Sequence, residues 1–184
     1  MESGISALIG LLGRPNQTRE VIDVDSPSWT GPEYRLCLSF PADYKELLAT
    51  FGLHCWGDFI HVLSPDTTNE NLHLERAGLA SLGALHEIRR KEPDAVPFAV
   101  YPERCGLYPW GVTDNGDTLF WLTQGPPDQW PTVVIAARDR KHERHQYTAT
   151  ALLAQFLVGD LDSVLLLAPF EGQKPLLSDQ GWSQ

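Results

Sequence analysis

The sequence predicts an α+β fold, an antiparallel meander flanked by helices within a single domain. Three observations carry that expectation. Asn115-Gly116 sits in the middle of "WGVTDNGDTLFW" between two apolar, β-prone flanks, which is the strongest short-range signal for a hairpin. Helical periodicity appears before this block, in "SFPADYKELLATFG", and after it, in "TATALLAQFLVGD". No internal repeat or regular strand-helix alternation points to a parallel sheet. At 184 residues, 42% of them hydrophobic, the chain has the size and apolar content of one domain with its own core.

In chain order, "MESGISALIGLLGRPNQ" reads as a short helix ended by Gly13, Arg14 and Pro15, and "REVIDVD" as a short strand. The Pro and Gly residues of "SPSWTGPEY" predict a loop. Next, Tyr44, Leu47, Leu48 and Phe51 fall at i, i+3, i+4 and i+7, with Pro41 suited to the first turn and Gly52 to the end of a helix. "GDFIHVL" follows as a strand. A helix is expected over about Asn71 to Lys91, with Leu74, Ala77, Ala84, Leu85 and Ile88 on its buried face and Leu79 and Leu82 off it. Leu107–Thr113 and Thr118–Thr123 make the hairpin strands, joined by a two-residue type I′ turn over Asp114–Asp117. "GPPDQW" turns again, and the β-branched "PTVVIAA" supplies a third, internal strand. "RDRKHERHQY" reads as a solvated loop. Ala149, Leu152, Leu153 and Phe156 line the last helix, which Gly159 ends. From Pro169 onward no period remains, so a tail is expected.

The net charge of −10 disfavours nucleic acid and anionic membranes as partners and suits a basic one. No window approaches the ~18 uninterrupted apolar residues of a membrane span, and the N-terminus lacks the basic lead and cleavage site of a signal peptide. Cys37, Cys55 and Cys105 are too few and too scattered for a disulfide framework or a metal knuckle. A cytoplasmic protein is the expectation.

Motifs that would carry chemistry are missing or incomplete. "HERH" places His142 and His145 one residue short of the HExxH spacing on which zinc proteases depend. His54, His61, His73 and His86 stand at no ligand spacing. Cys105 in "ERCGL" has no neighbouring histidine or helix start to activate it, and Ser64 and Ser81 lack a GxSxG setting. Phosphate-binding and dinucleotide-binding glycine patterns are absent. No enzyme, metal or cofactor is expected. Trp110 and Trp121, with Tyr108, Phe120 and Trp130, either pack into the core or, standing on an open sheet face, form a platform for a protein partner.

Phe40, Pro41, Asp43 and Tyr44, then Gly52, then Trp110-Gly111, then Asn115-Gly116-Asp117 and Trp121 occur in an order that resembles the SUKH superfamily, of the Smi/Knr type. The similarity covers roughly Ser39 to Gly159 and divides the chain into an N-terminal helix and extension (1–38), a SUKH-like domain (39–168) and a C-terminal tail (169–184). It implies an antiparallel sheet flanked by helices, no catalytic activity, and structural roles for Pro41, Asp43, Tyr44, Gly52, Gly111, Asn115 and Gly116. Bacterial members are immunity proteins that neutralise toxins, often nucleases, and eukaryotic members resemble regulators. The expected function is therefore an immunity protein that binds a basic toxin domain directly, with a regulatory or scaffold module as the alternative. The partner surface is expected at the turn acids Glu103, Asp114, Asp117 and Asp128, although a meander sends successive turns to opposite ends of its sheet, or else around Trp110 and Trp121.

Overall fold

The computed structural model describes residues 4–14, 27–139, 141–167 and 177–178. Five helices, α1 (Gly4–Leu12), α2 (Pro27–Leu36), α3 (Ala42–Phe51), α4 (Leu74–Lys91) and α5 (Ala149–Val158), pack on one antiparallel sheet. Its strands are β1 (Cys55–Trp56), β2 (Ile60–Val62), β3 (Leu107–Thr113), β4 (Thr118–Leu122), β5 (Thr132–Ile135), β6 (His142–His145) and β7 (Leu177–Ser178), in the spatial order β6-β5-β4-β3-β2-β1-β7. The fold is the α+β class expected, with β3, β4 and β5 forming the meander and β5 internal.

The two faces of the sheet are covered differently. Trp121 of β4 faces α3, where it meets Phe40 and Tyr44, and Phe59 stacks on Phe156 of α5. Helices α1, α3 and α5 pack against one another over this side, so that Leu8, Leu47, Leu152 and Leu153 are fully buried. Three residues before Trp121, Thr118 points to the opposite face, because strand side chains alternate. There Thr118 and its cross-strand partner Val112 lie opposite Ala77, Ala80 and Ser81 of α4. That single helix crosses β3 by way of Gly78, where a Cβ would come within 3.2 Å of the Tyr108 hydroxyl.

Several local expectations change, each for a tertiary reason. "SPSWTGPEY" is largely helical, not a loop: Pro27 opens α2, and Trp29, Pro32 and Leu36 are buried at helical spacing, with Trp29 against the rings of Phe40 and Tyr44. This packing outweighs the cost of Pro32 inside the helix, and it joins the segment before Ser39 to the same core. Along α4 the buried line is Leu74, Gly78, Leu82 and Leu85, so Leu82 lies inside and Ala84 outside the face the periodicity suggested. "HERH" is a strand whose alternation was hidden because its inward residues, Glu143 and His145, are polar. Cys55–Trp56 and Leu177–Ser178 add two short strands. "REVIDVD" lies outside the described residues.

Candidate functional site

The hairpin at the centre of the sequence is built for structure. Thr113 donates its N–H to the Asp117 carbonyl and Gly116 donates to the Thr113 carbonyl, each at 2.9 Å. Gly116 has φ +86°, whereas Asn115 stays on the negative side. The connection is thus a three-residue loop, a type I turn closed by a left-handed glycine, in place of the expected two-residue I′ turn. Asp117 decides between the two. Its N–H donates to Thr113 Oγ1, Thr113 Oγ1 donates to its Oδ2, and its Oδ1 accepts from the Ala137 N–H at 3.0 Å, tying the hairpin to the turn after β5.

The four acids expected to form a partner surface are separated and engaged. Asp114 and Asp117 lie at one end of the sheet, Glu103 and Asp128 at the other, as the pairing of Ile60 with Thr113 and of Leu107 with Leu122 requires. Asp117 is buried. Asp128 Oδ1 accepts the Ala42 N–H at 2.7 Å, capping α3, which Pro41 precedes and cannot cap with its own side chain. Glu103 pairs with Arg89 at 2.6 Å, and Asp114 with His61 at 2.8 Å. Trp110 and Trp121 are wholly buried at 0% exposure, which excludes them from a surface platform. Trp121 touches the rings of Phe40, Tyr44, Tyr108, Trp110 and Trp130.

The remaining motif residues are internal as well. Tyr44 donates its hydroxyl to the Leu63 carbonyl at 2.5 Å, and burial, reinforced by Tyr108 and Asp66, pushes its pKa well up. Asp43 accepts the Thr150 hydroxyl at 2.6 Å, linking α3 to α5. Gly52 ends α3 at φ +68°, and Gly111 pairs with Val62 beside the irregularity in β3.

Two polar clusters escaped the sequence reading. Cys55 and His61 are cross-strand partners, with Sγ 3.5 Å from Nε2, and Asp114 Oδ1 approaches that same nitrogen. Cys55 is 5% exposed, and the cluster brings β1 and β2 together with the turn that carries Asp114. On β6, Glu143 accepts the N–H groups of Val164 and Leu165 and the hydroxyl of Ser163, and meets His145 Nε2 at 3.1 Å. Burial acts to raise the Glu143 pKa, but these hydrogen bonds outweigh it and the pKa is lowered. The carboxylate pins the chain after α5 to the sheet edge. Among the described residues no group of three or more His, Cys, Asp or Glu could hold a metal ion.

The surface left open beside the sheet lies on the face that α4 covers, where the following segment adds Val96 and Phe98. Between the N-terminal half of α4 and the hairpin runs a groove of about 490 Å³, floored by Leu72, Ala77, Val112 and Thr118. Its rim carries Glu70, ion-paired to Arg76, and beside it the exposed Asp114 and Asp58 on adjoining turns, joined where the Asp114 N–H meets the Phe59 carbonyl. Glu70 and Asp114 are 74% and 51% exposed. An apolar floor inside a charged rim is the anatomy of a protein interface. The signal for it was present in "HLERAGLASLGAL", where apolar residues exceed what one buried face can hold. Comparison with known proteins gives no matching family model, no matching curated protein and no matching solved structure. No helix among the described residues is long and apolar enough to cross a membrane.

Proposed function

We propose that this chain is a cytoplasmic, non-enzymatic binding domain of the Smi/Knr type in the SUKH superfamily, an immunity protein that neutralises a basic toxin domain by direct contact. The observation that carries the reading is the apolar groove beside α4, with Asp58, Glu70 and Asp114 around its hairpin end. A nuclease must present cations to hold phosphates, and carboxylates on the rim of a complementary surface speed its capture. The chain's overall charge of −10 extends the same field beyond the rim.

The reading expects a toxin domain to be encoded directly upstream of this chain, and the test is co-expression with that domain. The reading expects co-purification, rescue of growth, and an association rate that falls with salt. It also expects that rate to drop by about tenfold in a D58K/E70K/D114K variant that remains folded. An upstream toxin that neither binds the chain nor is neutralised by it would overturn the reading.

A further inference from the structure

The outward line of α4 is a second feature that the fold does not use. Leu74, Gly78, Leu82 and Leu85 face the sheet, while Arg76, Leu79, Ala80, Gly83, Ala84, Glu87 and Arg90 face out, in the three-and-four spacing of a helix-packing seam. Leu79 is 67% exposed at its middle, and a Cβ on Gly83 would meet nothing within 4 Å. The bidentate pair of Arg35 with Glu75, at 2.8 and 2.7 Å, ties α2 to α4 one turn before Leu79. An uncharged centre of this kind, open to solvent on a long helix, costs free energy until something covers it.

We propose that what covers it is a second copy of this chain, packed antiparallel through α4 about a two-fold axis level with Ser81 and Leu82. In such an isologous contact, residue i of one copy meets residue j of the other and the reverse, with i and j placed symmetrically about the axis. The sequence is complementary to itself under this operation. Arg76 meets Glu87 of the second copy, Leu79 meets Ala84, and Ala80 meets Gly83. With a rise of about 1.5 Å per residue, the two Arg-Glu pairs sit roughly 8 Å to either side of the axis, within reach of both long side chains. The small residues at the centre let the two backbones come close while each Leu79 covers the opposite helix.

Charge placement selects this occupant over a foreign protein of one sign. Next to its apolar centre the line carries a cation, Arg76, on one side and an anion, Glu87, on the other, with Arg90 beyond it, so a wholly basic or wholly acidic surface matches only part of the line, whereas an antiparallel copy matches Arg76 and Glu87 both ways. Within one copy Arg76 pairs with Glu70, and Arg90 with Glu87 at 2.9 Å, all four side chains more than half exposed. Pairs of that kind are weak and exchange partners readily. The net charge of −10 opposes association only at long range, and at physiological salt, where the screening length is about 8 Å, the local pairs decide.

Sedimentation equilibrium of the full chain tests the seam. The wild type should be a reversible dimer. R76E and E87R should each raise the dissociation constant about tenfold or more, and the double variant R76E/E87R, which restores opposite charges across the axis, should recover most of the loss. Thermal melts of the three variants at a concentration where all are monomeric control for folding. A wild type that stays monomeric at all concentrations would overturn the proposal. So would a dimer indifferent to both single changes, or a double variant no better than either single one. None of these results depends on the toxin, so they stand or fall apart from the proposed function.

Discussion

The two faces of the sheet use similar residue types to different ends. On the α3 side, three mutually packed helices seal the rings of Phe40, Tyr44 and Trp121, and the polar groups there, such as Asp43 and the Tyr44 hydroxyl, are spent on internal hydrogen bonds. On the α4 side, one helix crosses the strands and leaves both a groove beside it and an uncharged line on its back. The difference teaches that side chains which look alike in sequence divide between the two uses: the large aromatics, Asp117 and Asp128 are structural, while Asp58, Glu70 and Asp114 stay exposed beside the groove. Between those acids the groove is lined by small and apolar residues of α4 and the hairpin.

The largest effect separates the faces outright. Trp121→Ala should lower stability by about 3–5 kcal/mol, because it empties a site enclosed by five rings, whereas Leu79→Ala on the back of α4, compared at a concentration where the chain is monomeric, should stay within about 0.5 kcal/mol. Chemical denaturation of both variants checks this, and a mild Trp121 variant would break the comparison. Next comes the hairpin. Asp117→Ala should cost about 1–3 kcal/mol, since it strands the Ala137 N–H and the Thr113 hydroxyl, while Glu70→Ala, a turn acid that is 74% exposed at the groove rim, should be close to neutral. Equal costs for the two would mean that the turn acids do not divide into structural and free.

A subtler contrast concerns pH. The Glu143 pKa lies below its ordinary value because the charged form is bound by Ser163, Val164, Leu165 and His145. Its contribution is therefore fully present above the unfolded carboxyl pKa and is lost as pH falls through the lower folded value. The protection of residues 160–167 against hydrogen exchange, after correction for the intrinsic pH dependence of the exchange rate, should fall on acidification before that of the strands, and Glu143→Gln should remove that difference. The smallest expected effect is on the groove itself. Ala80→Ser should leave stability unchanged within about 0.5 kcal/mol by thermal melt.

Most of the fold was legible where local chemistry and burial agree. Tyr44, Leu47, Leu48 and Phe51 fix α3, Gly159 ends α5 in a left-handed conformation, and the alternating residues around Asn115-Gly116 set the register of β3 with β4. Reading failed where a distant partner overrides local preference. Trp29 makes a helix of a Pro-rich segment by docking on Tyr44, and Glu143 makes a strand of a polar one by binding the chain near Ser163. The site was the least legible part. Whether a turn Asp is free or committed depends on partners such as Ala42 for Asp128 and Ala137 for Asp117, which lie far off in sequence. The exposed line of α4, by contrast, is recognisable only once Gly78 is known to face inward.

The most direct test of the difference between the faces is hydrogen exchange by mass spectrometry on the full chain, with and without the toxin domain that the proposed function expects upstream, at a matched concentration of this chain. The account predicts added protection over residues 70–81 and 112–118, around the groove, with α1, α3 and α5 unchanged. Protection confined to α1, α3 and α5 would place the partner on the sealed face and contradict it.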